Sequence, residues 1–368
     1  MCGQLLCVGF EGTTAPAELL GRIARSEVGS VILFRPNIIE PVQLGALVSA
    51  LRAAASPELP LLVAVDQEGG LVQRVRAPAT EWPPMATVAA AGDPATTRAV
   101  GRALGDELAL FGIGWTFAPV LDVNTNPDNP VIGNRAFGET PASVISHALA
   151  FWQGLRDAGV RGCGKHFPGH GDTLLDSHHD LPHVSHDETR LRACELLPFV
   201  AAISAGAEAL MTAHVVYRAL DPDRPATLSH RIATELLRGE LGFDGLLVSD
   251  DLGMRAIADR WPIEAIMDEG LRAGIDHFIL RGPEARPRAA FAVLVAGATA
   301  DQGFAARVEQ SFRRCEAFKA DARVPLALPP AELARCLPNP DHQALAARLR
   351  APTAGGPGGA ASSPVAGD

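Results

Sequence analysis

Short runs of apolar, often β-branched residues recur along the chain, and longer stretches with apolar positions every three or four residues lie between them. The short runs are Gln4–Val8, Ser30–Phe34, Leu61–Val65, Trp115–Ala118, Gly162–Gly164, Ala209–Thr212, Gly245–Val248 and Ile275–Leu280. Runs this brief read as buried strands. Helical periodicity marks Pro41–Ala55, Pro94–Phe111, Pro141–Ala158, Asp187–Ala205 and Leu228–Glu240. Strands that alternate with helices pair in parallel through right-handed crossovers. Eight such units predict an α/β fold, a single (β/α)8 TIM-like barrel, with a doubly wound sheet as the rival arrangement. No GxGxxG or P-loop follows a strand, which counts against nucleotide binding.

Polar clusters sit at one consistent place in this pattern. Asp66-Gln67-Glu68-Gly69-Gly70 follows the third run, Asp122 to Arg135 the fourth, and Lys165-His166 opens the loop after the fifth. His214 follows the sixth run and Asp250-Asp251 the seventh. All fall at the carboxyl ends of strands, where barrel enzymes gather their active sites.

Composition narrows the setting. A 47% apolar content supplies a substantial core, and no apolar run reaches the roughly 18 residues of a membrane span. The first residues lead straight into a strand with no basic leader segment, which predicts no secretory signal. A net charge of -10 argues against nucleic acid and anionic membrane surfaces as partners. Six scattered cysteines with no CxxC pair predict reduced, mostly buried thiols and a cytoplasmic location. From Ala351 onward the chain is rich in Ala, Gly and Pro, so residues 351–368 are expected to form a disordered tail.

Six of the eleven histidines lie between His166 and His186, in a loop broken by Pro168, Gly169 and Gly171. Their spacing matches no compact zinc motif on a helix. His170, His183 and His186 read best as side chains that stitch the loop by hydrogen bonds. Asp176-Ser177-His178 differs: in extended backbone the first and third residues share a side, so the carboxylate can fix the imidazole tautomer for acid/base work. No GxSxG elbow accompanies the pair, so acyl transfer is not the natural chemistry. An aspartate at the end of the seventh strand, Asp250, faces the barrel mouth and suits attack on an anomeric carbon, while Asp251 suits capping. Asp66 and Asp122 have the same geometric claim as acceptors for sugar hydroxyls. Lys165, Arg135 and Arg74 are the candidate donors, Arg135 from the glycine-flanked turn Gly133–Gly138.

At these motifs the chain resembles glycoside hydrolase family 3, in particular its bacterial single-domain β-N-acetylglucosaminidases (β-hexosaminidases) of peptidoglycan recycling. The resemblance is carried by Asp66–Gly70 with Val72-Gln73-Arg74, by Phe117–Asp122, by Asn129–Arg135, by the loop Lys165–His178 and by Leu241–Gly245 through Ser249–Leu252. It implies one barrel domain over residues 1–345, Asp250 as nucleophile of a covalent glycosyl-enzyme, and His178 with Asp176 as general acid/base. It further implies Asp66, Arg74, Arg135, Lys165 and His166 as the grip on a terminal N-acetylglucosamine, with no metal or organic cofactor. The implied partner is a small carbohydrate, a muropeptide carrying N-acetylglucosamine, bound by a monomer. The chain departs from the family pattern at Leu71, Gly253, His179 and Arg281-Gly282-Pro283, which bears on the outer pocket and the leaving group. The alternatives are a phosphorylase or another family 3 β-glycosidase, and, from another class, a metal-dependent amidohydrolase, which would need an HxH where Gly9-Phe10-Glu11-Gly12 stands.

Overall fold

The computed structural model describes residues 1–173, 181–320 and 327–351. Asp176 and His178, and all but the first residue of the 351–368 segment, lie outside the described residues. Eight parallel strands form one sheet: β1 (Leu6–Val8), β2 (Ser30–Leu33), β3 (Leu62–Val65), β4 (Trp115–Thr116), β5 (Gly164–Phe167), β6 (Ala209–Thr212), β7 (Leu246–Asp251) and β8 (His277–Leu280). Their order is β4-β3-β2-β1-β8-β7-β6-β5. The two outer strands meet through the extended chain after β4: Cys163 N–H donates to Ala118 O at 2.8 Å, Lys165 N–H to Pro119 O at 3.1 Å and Leu121 N–H to Lys165 O at 2.6 Å. The sheet is thereby a closed barrel, as the alternation of runs predicts.

Alternate residues along each strand point to opposite faces. Cys7, Ile32, Leu62, Ala64, Met211, Val248 and Ile279 fill the inside, with Trp115 packed edge-on against Phe117 and tilted against Phe318 at ring-centroid separations of 4.6 and 4.9 Å. Leu6, Val8, Val31, Leu33, Val63, Val65, Leu210 and Leu280 face outward into the layer beneath the helices. The crossovers are α1 (Ala17–Ala24), α2 (Pro41–Ala53), α3 (Pro94–Leu110), α4 (Pro141–Asp157), α5 (Leu197–Ser204), a π-helix Arg231–Glu240, and α6 (Ile263–Ala273); α7 (Ala285–Ala300) follows β8. α2, α3 and α4 each open on a proline behind a capping side chain, Glu40, Asp93 and Thr140, that accepts from first-turn N–H groups. α3 and α4 touch backbone to backbone: a Cβ on Gly154 would stand 2.1 Å from Arg98 O, and one on Gly101 2.2 Å from Phe151 O.

Two elements differ from the sequence expectation. The expected helix Asp187–Ala205 is broken into Glu188–Ala193 and Leu197–Ser204. Pro198 has no N–H to return to the Cys194 carbonyl, so one continuous helix cannot pass through it. The fifth strand lies at Gly164–Phe167 rather than Gly162–Gly164, so Lys165 and His166 belong to the strand itself rather than to the loop beyond it. Their polar side chains hide a strand that apolar patterning alone truncates. No helix among the described residues is long and apolar enough to cross a membrane, and all six cysteines are unpaired.

Candidate active site

A four-member ion network occupies the rim over β3 and β5. Lys165 Nζ donates to Asp66 Oδ1 at 2.9 Å and approaches Glu68 Oε1 at 2.5 Å. Glu68 holds Arg135 in a two-point fork, Nε to Oε2 and Nη2 to Oε1, both at 2.8 Å. Burial alone would raise the Glu68 carboxyl, but the Arg135 and Lys165 charges overcome it and hold the group well below the usual carboxylate range. Burial likewise works against the Lys165 ammonium, and the Asp66 and Glu68 carboxylates reverse the effect and raise it. Arg74 lies at 4.0 Å from Asp66 Oδ2, and its buried Nε has no hydrogen-bond partner among the described residues. The hairpin Gln67–Gly69/Val72–Gln73 carries Glu68 inward; its turn needs Gly69 and Gly70, whose φ of 104° and 60° lie in the left-handed region. Leu71 stands exposed at the tip.

Asp122 lies beneath His166. It is fully buried, its Oδ2 is 2.7 Å from His166 Nδ1, and its Oδ1 accepts the backbone N–H of His166 at 3.1 Å and of His170 at 2.7 Å. Burial raises and the His166 ring lowers this carboxyl; the net direction is down. Asp122 therefore orients His166, leaving its other ring nitrogen for the mouth, and is not itself an acceptor for sugar hydroxyls. His170 contacts Thr173 Oγ1 at 2.8 Å through Nδ1, and burial pulls its ring down to about 4. His186 pairs with Asp172, and His183 lies in a two-residue strand paired with Val216–Tyr217. His170 and His186 are thus tied into the loop by side-chain bonds, whereas His183 is exposed and joins it through its backbone.

Asp250 ends β7, accepting the Asp251 N–H at 2.7 Å through Oδ1. Burial opposes its ionisation, but His166, His214, the Asp251 N–H and Lys165 hold it below the usual aspartate range. Asp251 turns the other way: its Oδ1 accepts Gly253 N–H at 2.8 Å and Arg281 N–H at 3.0 Å. Burial raises its carboxyl. The adjacent acids thus differ in role, one at the mouth and one capping the next turn. His214 reaches Asp251 O at 3.1 Å through Nε2 and Thr227 Oγ1 at 2.8 Å through Nδ1.

The structure brings Asp66, Arg74, Arg135, Lys165, His166 and Asp250 to a single rim, and Asp176 and His178 lie outside the described residues. Sequence reasoning passed over the roles of Glu68 and His214. Both occupy the polar clusters at strand ends, but which of several adjacent polar residues points inward depends on hairpin and strand register.

The pattern of the glycosyl hydrolase family 3 N-terminal domain matches residues 2–315. The chain belongs to glycoside hydrolase family 3. A β-hexosaminidase from Alkalilimnicola ehrlichii is 43% identical over 289 residues, spanning 77% of this chain and 82% of its own. Among solved structures, a family 3 β-N-acetylglucosaminidase from Paenibacillus sp. str. FPU-7 superposes with a TM-score of 0.89 at 38% identity, covering 95% of this chain and 67% of its own. Native NagZ from Neisseria gonorrhoeae gives 0.78 at 31% identity, covering 94% and 96%. This family 3 protein is a glycoside hydrolase of the β-N-acetylhexosaminidase type.

Proposed function

We propose that the protein is a retaining exo-β-N-acetylglucosaminidase that removes the terminal non-reducing N-acetylglucosamine from peptidoglycan-derived muropeptides. Asp250 acts as nucleophile and the Asp176–His178 pair as acid/base. The observation that carries this reading is the state of Asp250: an ionised carboxylate at the end of β7, oriented by the Asp251 N–H and electrostatically linked to His166, His214 and Lys165. Attack on the anomeric carbon forms a glycosyl ester on Asp250 while His178 gives its proton to the departing oxygen. Water then attacks the same carbon, His178 takes up its proton, and the ester bond breaks to return the Asp250 carboxylate. Lys165 retains a donor beyond its two carboxylate partners; with Asp66, Arg74, Arg135 and His166 it forms the polar wall that would hold the sugar. Six unpaired cysteines support a cytoplasmic site of action, and the enzyme is proposed to act as a monomer.

Asp250→Ala should abolish turnover of an aryl β-N-acetylglucosaminide while leaving the melting transition and circular dichroism unchanged; a substantial residual rate overturns the assignment. In the same assay His178→Ala should slow poor leaving groups far more than good ones, and equal losses would remove the acid from that residue.

A further inference from the structure

Arg281, the first residue after β8, is held at the barrel mouth by its backbone and one aromatic ring, and its charge acts on the Asp251 carboxylate without a direct ion pair. Its backbone N–H donates to Asp251 Oδ1 at 3.0 Å, one residue from Asp250. Its guanidinium carbon lies 4.5 Å from the centre of the Phe34 ring at the end of β2. Between the two runs β1, which ends beside Gly9: a Cβ at Gly9 would stand 3.1 Å from Phe34 Cε2 and 3.6 Å from Arg281 Cα. The glycine leaves that stack its room. A guanidinium held over a ring face keeps its N–H donors available for a further partner. Among the described residues the Arg281 guanidinium takes part in no hydrogen bond or ion pair, whereas Arg135 across the rim is bound to Glu68 and to Val131 O. Arg281 is half-buried, so it is neither a freely solvated surface charge nor a member of a structural network.

We propose that Arg281 recognises a carboxylate on the leaving-group part of the substrate. This rests on the N-acetylglucosaminidase reading above. N-acetylglucosamine carries no charge, so a substrate group that complements this guanidinium, which has no hydrogen-bonded partner among the described residues, lies beyond the cleaved bond, on an acid-bearing sugar or its attached peptide. The planar fork matches a carboxylate in two-point geometry, which an ammonium does not. Arg281 is thus a specificity-determining residue, set apart from the bond-breaking groups.

The test compares a disaccharide in which N-acetylglucosamine is linked to a carboxylate-bearing anhydromuramic acid with neutral chitobiose, for the unaltered enzyme and for Arg281→Met, Arg281→Lys and Arg281→Glu. In the Met variant the ratio of kcat/KM for the acidic over the neutral substrate should fall roughly tenfold or more, through KM, as expected for loss of one charged hydrogen-bonded contact. Lys should recover part of the ratio, Glu should lower it further, and added salt should compress it in the unaltered enzyme. An unchanged ratio, whether both substrates fall together or neither falls, overturns the assignment to Arg281. Failure of the unaltered enzyme on both substrates overturns the activity itself, an outcome distinguishable from the first.

Discussion

Glu68 holds two cations on one carboxylate at a site that is almost completely buried. A buried ion pair adds little over a well-packed apolar alternative, but removing one partner strands the other. Glu68→Ala should therefore cost on the order of 3–5 kcal/mol of stability, read as a lowered urea midpoint. It should also raise KM for an aryl N-acetylglucosaminide, because Lys165 and Arg135 lose their common anchor. A variant with an unchanged midpoint would show that the network is not held by this carboxylate. The residues of the site were legible in the sequence as polar groups placed directly after apolar runs, and Asp66, Lys165, His166 and Asp250 were found that way. Their division of labour was not legible. Asp122 and Asp66 follow strands in the same manner, but one lies wholly under His166 while the other keeps an open face. Only the depth of each strand end in the barrel separates them.

The same contrast holds for elements. Seven of the eight runs named from patterning overlap their strands closely, because each is a short apolar block bounded by breakers. β5 lies beyond the run that patterning marks because half of it is Lys165 and His166, polar residues in positions that would otherwise be apolar. The interrupted helix over Asp187–Ala205 was written in Pro198 but outweighed by apolar periodicity. The α3–α4 contact was not legible, since a glycine in a helix has no pattern that announces a neighbour. Gly154→Ala would place its methyl against Arg98 O and Arg102 N. Overpacking of this kind costs about 1–3 kcal/mol, and because the backbone atoms cannot step aside it should outweigh the roughly 1 kcal/mol that alanine gains in helix propensity, so the melting temperature should drop. An unchanged or raised transition would mean that the two helices separate freely. Because α3 and α4 flank the β4–β5 closure, the same variant should weaken sugar binding as well.

At the scale of the molecule, acid is the condition to which the fold is exposed. Burial pulls His277 down to about 3 and His170 to about 4, whereas an unfolded histidine titrates near 6.5. Below that value the unfolded chain takes up protons that the folded chain refuses, so stability falls as pH drops. Each such histidine contributes up to about 1.4 kcal/mol per pH unit to the fall. The lowered Glu68, Asp122 and Asp250 carboxyls act in the same direction at still lower pH, losing their stabilising charge as pH passes down through their folded values. Asp251, raised by burial, opposes them weakly. Urea midpoints should hold between pH 7 and 8 and decline steadily from about 6.5 to 5; a flat profile over that interval would contradict the buried neutral state of these rings.

The barrel closes where the chain from Arg161 to Lys165 meets the chain from Gly114 to Leu121, and Lys165 shares the backbone bonds of that seam with Arg161 and Cys163. Lys165 thus helps to fasten the cylinder with its main chain while its side chain joins the Asp66–Glu68 ion network. Whatever steadies that ammonium also steadies the joint, so a sugar held there, as proposed, would act as a rivet across the seam of the barrel. Occupancy would then stabilise the closed barrel by mass action.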